Sequence, residues 1–265
     1  MRWAVARLLY ATRVPRRRRL LGHSGVGDLA VVICLWKRTD RVPQILDMLA
    51  AQTCAKPLRV IFWNNDRRRT AQYCRQIASH GSTPDHPLSV ELHSSPANVG
   101  GMGRFLAMRS LTEEGYTGPF VTLDDDQDVS ITFIDDLTSS YAPCTFAGSW
   151  AFWYDPIYYE RRALSTGEAA NYVGTGGAIC DSRVTISRLF FTALPRRFFF
   201  VEDLWLSAYV ARQGWDLRKI HTEIEFVLPE FDQHHAIFDL KTEFSVYLAQ
   251  AVIPLDPSLS APSVR

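Results

Sequence analysis

The sequence contains no apolar stretch that approaches the roughly 20 residues a helix needs to cross a bilayer. The N-terminal run AVARLLYA is short, and Arg7 interrupts it. The five cysteines are odd in number, widely spaced and form no CxxC pair, which argues against a disulfide framework and against a cysteine zinc site. We therefore expect a cytoplasmic protein of a reducing compartment, without a membrane-spanning segment.

The chain also has almost no net charge, since 29 basic residues nearly cancel 28 acidic ones. A near-neutral protein offers no electrostatic case for nucleic acid or an anionic membrane as its main partner. The charge is unevenly placed, because residues 1–27 contain no acid but include four consecutive arginines from Arg16 to Arg19. We expect residues 1–27 to form a disordered basic tail. A transit peptide and a basic amphipathic foot, making peripheral contact with an anionic membrane, are the alternatives.

Apolar residues make up 47% of the 265-residue chain, enough to fill a sizeable core. Continuous apolar runs alternate with segments of helical spacing, which predicts parallel strands joined by right-handed crossovers. Predicted strands cover 29–36, 58–65, 88–95, 118–126 and a late 220–228, predicted helices cover 44–52, 70–80, 105–115 and 201–214, and a small-residue turn covers 173–181. We expect an α/β fold with a single domain over residues 28–250, followed by a proline- and serine-rich tail at 251–265.

Four acids occupy five positions directly after the apolar run 120–123: Asp124, Asp125, Asp126 and Asp128. In a parallel sheet, side chains that follow a strand lie at the carboxyl edge, where ligands bind. Carboxylates this close repel one another unless something positive satisfies them. A divalent cation, Mn²⁺ or Mg²⁺, would do so and complete its shell with the phosphates of a nucleotide. An acidic loop or helix cap is the alternative.

The chain from about residue 29 to 245 resembles an inverting glycosyltransferase of the GT-A fold and the glycosyltransferase family 2 type. Six motifs carry this resemblance in the family's order: AVVICLWKR (30–38), WNND (63–66), NVGGMGR (98–104), LDDD (123–126), VGTGG (173–177) and VED (201–203). The resemblance implies a Rossmann-like nucleotide-diphospho-sugar transferase with a mostly parallel central sheet flanked by helices. The donor would be a nucleotide sugar, and the acceptor a glycan, a lipid-linked molecule or a small molecule.

The LDDD motif matches the D-x-D metal site of that family. The resemblance implies that Asp124 faces the ribose or base of the donor and that Asp125 is the middle, variable position. Asp126 would hold the metal that bridges the two phosphates. A divalent ion there neutralises the charge that develops on the departing nucleoside diphosphate.

Two further motifs are candidates for donor binding. WNND follows the second predicted strand, where the family presents amide or acidic groups to the donor base, so that Asn64, Asn65 and Asp66 are candidates. A plain Asx turn after a strand is the alternative for each of them. Arg104, which ends the glycine-rich corner, could bind a phosphate as a bidentate donor.

The VED motif supplies the candidate catalytic base. An inverting transfer needs one group to accept the proton of the acceptor hydroxyl as its oxygen attacks the anomeric carbon. By the resemblance, Asp203 is this base and Glu202 is the second choice. An acidic pair in the first turn of a helix could instead complement the helix macrodipole.

The remaining candidates lie on the metal and acceptor sides. A late histidine, His234 in preference to His235, would complete the metal shell by the resemblance. The acceptor floor would be formed by Thr175, Gly176 and Gly177. One or two of four aromatic residues would stack on a sugar ring, and these are Trp150, Trp153, Tyr154 and Trp205.

Two alternative functions remain open from the sequence. The run DQDVS loosely resembles the nucleophile loop of haloacid dehalogenase phosphoryl-transfer enzymes, in which Asp126 would attack phosphorus and Asp128 would act as acid and base. That loop normally lies near the start of a chain, however. The second alternative is a non-catalytic protein of glycosyltransferase-like fold that binds a nucleotide or glycan.

Overall fold

An eight-stranded sheet lies at the centre of the structure. The computed structural model describes residues 16–25, 27–81, 88–227 and 237–259, together with residues 4, 7, 8 and 10. The strands are β1 (Arg16–Leu21), β2 (Leu29–Leu35), β3 (Leu58–Asn64), β4 (Leu88–Ser94), β5 (Pro119–Asp124), β6 (Gln127–Val129), β7 (Thr145–Gly148), β8 (Ala151–Trp153), β9 (Arg162–Ala163), β10 (Tyr172–Val173), β11 (Ala178–Asp181), β12 (Asp216–Lys219) and β13 (Ile224–Phe226).

Helices cover both faces of this sheet. They are α1 (Arg41–Ala50), α2 (Thr70–His80), α3 (Met102–Glu113), α4 (Phe133–Ser139), α5 (Arg188–Thr192), α6 (Glu202–Arg212) and α7 (Phe238–Gln250), with short 3-10 helices at Arg67–Arg69, Ser182–Ile186, Arg196–Phe198 and Pro257–Leu259. None of the helices in the described ranges is both long enough and apolar enough to cross a membrane.

The central sheet is mostly parallel. Its strand order is β1-β4-β3-β2-β5-β11-β7-β12, and four of its seven strand pairs are parallel. Strands β2 and β3 are nearly continuous buried runs, as strands covered on both faces require. One apolar core lies on the side of α3 and α6, and a second lies on the side of α1. The predicted α/β fold with helices flanking a mostly parallel sheet is confirmed.

The predicted elements agree best with the structure in the first half of the chain. Helix α2 has the predicted bounds, and strands β2 to β5 begin and end within two residues of theirs. The second half differs, because part of the predicted turn at 173–181 is strand β11, which inserts antiparallel between β5 and β7. The predicted late strand at 220–228 is reduced to β13, which pairs with β6, whereas β12 is the strand that joins the central sheet.

Both predicted tails include residues that pack on the sheet. Arg16–Leu21, predicted to be disordered, form edge strand β1, which pairs antiparallel with β4. In the predicted C-terminal tail, Leu259 is buried, and its carbonyl accepts a hydrogen bond from the indole Nε1 of Trp215 at 2.8 Å. Hydrogen bonds and apolar burial therefore fix these two segments.

A buried carboxylate explains why a strand so rich in arginine can join the sheet. Glu91 of β4 is fully buried and accepts hydrogen bonds from Arg17 Nη2 at 3.0 Å, Arg59 Nε at 3.1 Å and His93 Nε2 at 3.1 Å. Burial would raise the pKa of Glu91, but His93 and the two arginines lower it from its ordinary value of 4.5 to about 2. The carboxylate thus stays ionised inside the fold and ties β1 and β3 to β4.

We expect Glu91→Gln to lower the free energy of unfolding by about 3 kcal/mol at pH 7, because it leaves two partly buried arginines without their buried carboxylate. The pKa of Glu91 is lower in the folded state than in the unfolded state, so its carboxylate stabilises the protein fully above pH 4.5. This stabilisation is lost as the pH falls through about 2. The difference in the free energy of unfolding between wild type and variant should therefore decrease from pH 5 to pH 3, as measured by urea titrations followed by circular dichroism.

Glu114→Gln is the matched control, because Glu114 pairs with Arg17 and Arg59 through a side chain that is 54% exposed. Exposed ion pairs contribute at most about 1 kcal/mol. The proposed role of Glu91 would be contradicted if the two variants lost the same free energy of unfolding. It would also be contradicted if the difference between wild type and Glu91→Gln did not change with pH.

Candidate active site

A cleft of about 680 Å³ opens at the carboxyl end of β5. Its walls include Asp124 at the end of β5, Thr175 and Gly176 between β10 and β11, and Glu202 and Asp203 in the first turn of α6. These segments are distant in sequence, and they meet because β11 pairs with β5. The cleft therefore joins the predicted acidic cluster to the predicted carboxyl pair.

Arg38, in the loop after β2, contacts two of the clustered aspartates. Its Nη1 donates to Asp125 Oδ1 at 2.5 Å, and its Nη2 lies 3.3 Å from Asp126 Oδ2. The backbone N–H of Trp36 donates to the second oxygen of Asp125 at 3.0 Å. Burial raises the pKa of Asp125 to about 6 in spite of Arg38. Asp125 thus faces the loop after β2, whereas Asp124 faces the cleft.

The other two aspartates also have arginine partners. Arg41 Nη2 donates to Asp128 Oδ1 at 2.5 Å, and Arg104 Nη2 donates to Asp124 Oδ1 at 2.8 Å. Three arginines therefore compensate the acidic cluster, so that repulsion among its carboxylates does not by itself require a metal ion. The sequence argument for a metal overlooked these arginines.

Of the clustered carboxylates, Asp124 lines the cleft, whereas Asp126 does not. Burial raises the pKa of Asp126, and the negative charge of Asp124 raises it further. Within the described ranges, no group of three His, Cys, Asp or Glu side chains could hold a metal ion. One or two carboxylates with waters and substrate phosphates suffice for Mg²⁺, so this donor set fits. His234 and His235 lie outside the described residues.

The WNND motif forms the turn after β3. Asn64 Oδ1 accepts from the N–H of Asp66 at 2.8 Å. Asn65 Oδ1 accepts from the N–H of Val99 at 2.9 Å, and its Nδ2 donates to the Gly100 carbonyl at 3.1 Å. Asp66 in turn caps the 3-10 helix that follows. Each of the three predicted donor-binding residues has a partner within the fold, as the Asx-turn alternative expects, and none lines the cleft.

The glycine-rich corner lets α3 approach both β3 and α6. A Cβ on Gly101 would lie 1.5 Å from Oε1 of Glu202, and a Cβ on Gly103 would lie 2.2 Å from Cδ1 of Trp63. Real Cβ atoms do not come this close to other heavy atoms, so a side chain at Gly103 would displace the buried Trp63, and one at Gly101 would displace the end of Glu202. The corner thus packs against a candidate catalytic carboxyl.

Arg104 joins the two sides of the cleft. It is buried, and in addition to Asp124 it donates to the carbonyl of Thr175 through Nη1 at 2.7 Å. Its Nε has no hydrogen-bond partner among the described residues. The guanidinium therefore fixes the turn between β10 and β11 against β5 and keeps one buried donor unused.

Asp203 is held by three donors. Tyr172 Oη and Lys241 Nζ donate to its Oδ2 at 2.7 Å and 2.9 Å, and the N–H of Leu204 donates to Oδ1 at 2.8 Å. Burial would raise the pKa of Asp203, but Lys241 and Tyr172 hold it below its ordinary value. Asp203 is therefore ionised at neutral pH.

Glu202 has the opposite electrostatic environment. Burial raises its pKa to about 7, with Arg104 opposing this shift and Asp203 adding to it. Two adjacent carboxyls in one cleft thus have their pKa values moved apart, which is typical of groups with different tasks in an active site.

The predicted acceptor side is only partly at the cleft. Thr175 and Gly176 line it, and a Cβ on Gly176 would lie 2.5 Å from Oδ2 of Asp124. Gly177 has a φ of 73° and packs against Ile224 behind the cleft wall. The prediction for Trp205 does not hold, because this residue is 2% exposed and its Nε1 donates to a core carbonyl. Of the other predicted aromatic residues, Trp150 lines the cleft, whereas Trp153 and Tyr154 do not.

The sequence analysis did not predict the aromatic pair Phe152 and Tyr172 or the two cations beside it, Arg161 and Lys241. Strands β10, β8 and β9 form a small antiparallel sheet, on which the rings of Phe152 and Tyr172 stack with centroids 6.2 Å apart. The guanidinium of Arg161 lies 4.5 Å from the Phe152 ring centre. The alternation of Trp150, Phe152 and Tyr154 could have predicted one face of a strand, but nothing in the sequence pointed to Lys241.

The fold of the chain is similar to that of a solved structure. No protein-family model matches the chain, and no curated protein matches it. Among solved structures, the mannosyltransferase PcManGT from Pyrobaculum calidifontis, in complex with GDP-Man and Mn²⁺, is similar with a TM-score of 0.57 at 14% sequence identity, over 96% of this chain and 78% of that one. The fold is that of a glycosyltransferase.

A second solved structure is S. aureus TarS 1-349, with a TM-score of 0.45 and 13% identity over 73% of this chain and 59% of that one. At 14% identity, the similarity to the mannosyltransferase establishes the fold alone, and function has to be argued from the site.

Proposed function

We propose that this protein is a metal-dependent glycosyltransferase that moves a sugar from a nucleotide-diphosphate donor to an acceptor hydroxyl with inversion. The observation that carries the proposal is the shared cleft, where Asp124 after β5 faces Glu202 and Asp203 at the start of α6. Inversion requires a leaving-group site and a base on opposite sides of the anomeric carbon. Two separate acidic walls in one cleft of a glycosyltransferase fold match that requirement.

The donor side is formed around Asp124 and Arg104. Arg104 lines the cleft beside Asp124, and its guanidinium is suited to a diphosphate oxygen. Asp126, together with Asp124 and His234, would hold Mn²⁺ or Mg²⁺. When bound, such an ion supplies charge neutralisation for the departing diphosphate. We expect the transferred group to be a hexosyl or related sugar, and the donor screen described below identifies the sugar and its nucleotide base.

Asp203 is the proposed base. Its carboxylate lines the cleft, and Lys241 and Tyr172 keep it ionised and fixed in orientation. An ionised and oriented carboxylate can accept the proton that the acceptor hydroxyl loses as its oxygen bonds to carbon. Glu202 is the second candidate, because its pKa of about 7 suits proton transfer at neutral pH.

A thermal-shift and turnover screen tests the function. We expect UDP- or GDP-sugars with Mn²⁺ to raise the melting temperature, because bound ligand stabilises the native state by mass action. We also expect slow release of nucleoside diphosphate from the donor that stabilises most. Stabilisation without any release would favour the binding-protein alternative. Turnover of a phosphomonoester without a nucleotide requirement would favour the dehalogenase alternative.

A further inference from the structure

One edge of the central sheet carries a surface of unpaired arginines. We call it the arginine face and define it by five exposed residues: Arg16, Arg18, Arg67, Arg68 and Arg75. Arg19 is also exposed, but the alternation of β1 places it on the other side of the sheet with Arg17. Within the described part of the chain, none of the five lies within ion-pair distance of a carboxylate. The adjacent Arg17 and Arg69, by contrast, pair with Glu91 and Asp66.

Sheet register brings the two sequence segments of the arginine face together. Arg16 of β1 is aligned with Ser94 of β4, and Ser94 is aligned with Asn64 of β3. Neighbouring strands lie about 4.8 Å apart, so Arg16 and Asn64 are about 10 Å apart across the sheet, and Arg67 follows three residues after Asn64. Further along β1, Arg18 Nη1 lies 3.9 Å from Cys74 Sγ, next to Arg75 in α2.

The charge of this face is not balanced locally. Residues 16–25 and 67–81 contain no aspartate or glutamate, although the chain as a whole has a net charge of only +1. The charged side chains of the two segments are therefore all basic, and the acids from elsewhere that contact them pair with Arg17, Arg69 and His80. An excess of one sign of charge on a surface attracts an oppositely charged partner.

We propose that the arginine face docks the protein onto an anionic lipid bilayer. Clustered arginines near such a surface each contribute about 1 kcal/mol of attraction. Nucleic acid fits less well, because the pI of 7.7 is below that of typical nucleic-acid-binding domains. Single strands also require aromatic stacking platforms, and the one Phe, Trp or Tyr in 16–25 and 67–81 is Tyr73, which is buried.

The arginine face and the cleft share one edge of the sheet. Arg16 and Arg67 lie at the carboxyl ends of the parallel strands, which is also the edge at which Asp124 ends β5. Arg16 and Asp124 are four strand spacings, or about 19 Å, apart along this edge. This inference concerns binding alone and holds whether or not the protein transfers sugar.

Vesicle sedimentation of the full chain tests the proposal. We expect binding to phosphatidylcholine vesicles that contain phosphatidylglycerol, little binding to phosphatidylcholine alone, and release at high salt. The double variant R16Q/R18Q should lower the partition coefficient about thirtyfold. Its lysine counterpart, R16K/R18K, should retain most of the binding, and Arg17 is left intact because it pairs with Glu91.

The variant R188Q/R212Q is the matched control, since it removes the same charge from exposed arginines elsewhere on the molecule and should bind like wild type. If the β1 variant fails to fold, R67Q/R68Q/R75Q removes the other half of the face and should weaken binding similarly. Equal binding to neutral vesicles, or equal losses in the control, would overturn the proposal. So would binding to heparin or RNA without binding to anionic vesicles.

Discussion

Asp126→Ala should abolish the Mn²⁺-dependent release of nucleoside diphosphate from the donor. Asp126 contacts one arginine at 3.3 Å and shares its electrostatic environment with Asp124, so its removal takes away the second carboxylate of the proposed cation site. Charge neutralisation of a leaving group by a metal is worth several kcal/mol, and we therefore expect the rate to fall at least about a hundredfold. Donor turnover with and without Mn²⁺ measures the effect.

Asp128→Ala is the control for this prediction. Asp128 belongs to the same cluster and also pairs with an arginine, but its side chain is 47% exposed, whereas that of Asp126 is 12% exposed. We expect this variant to keep near-normal turnover and the Mn²⁺-dependent rise in melting temperature, both of which Asp126→Ala should lose. If Asp126→Ala still responds to Mn²⁺, the assignment of Asp126 as a ligand is wrong.

The parallel half of the fold could be predicted from sequence because each strand there is buried on both faces. A run such as LAVVICL has few other places to lie in a globular protein. Strands β11 and β12 are four residues long and occupy the sheet out of chain order. Neither their length nor their composition separates them from a turn, so their positions depend on tertiary pairing.

Some features of the site can likewise be predicted from sequence, and others depend on tertiary pairing. The position of the acidic cluster follows from chain direction alone, since acids after a parallel strand lie at its carboxyl edge. The pairing of Arg38 with Asp125 can be predicted only when the neighbouring strands are known. Arg38 reaches Asp125 because β2 pairs with β5 in a register that aligns Cys34 with Asp124. Trp205 illustrates a further limit, because composition cannot distinguish a core tryptophan from one that stacks on a sugar.

The two carboxyls of α6 should respond differently to removal of their charge. We expect Asp203→Asn to bind donor almost normally and to lose at least about a hundredfold in transfer, because a general base contributes that much and an amide cannot accept the proton. Glu202→Gln should retain more transfer than Asp203→Asn. Donor binding by thermal shift and transfer rates over a range of pH separate the two roles.

Stability gives an independent measure of the electrostatic difference between the two positions. The pKa of Glu202 is raised to about 7 from an ordinary value of 4.5, so the folded state binds its proton more tightly than the unfolded state. The contribution of protonated Glu202 to the free energy of unfolding is therefore present at pH 4.5 and is lost progressively as the pH rises through about 7. Glu202→Gln should be more stable than wild type at pH 8, by up to about 3 kcal/mol, and similar to it at pH 4.5.

Asp203→Asn should show the opposite sign. The pKa of Asp203 lies below its ordinary value because Lys241 and Tyr172 bind the ionised carboxylate, and the variant leaves Lys241 buried without its partner. We expect a loss of stability at pH 7. If instead Glu202→Gln abolishes transfer, and the wild-type rate rises with pH through about 7, then Glu202 is the base. Asp203 would in that case hold Lys241 and Tyr172 in place, since a carboxylate kept at a low pKa is the weaker proton acceptor of the two.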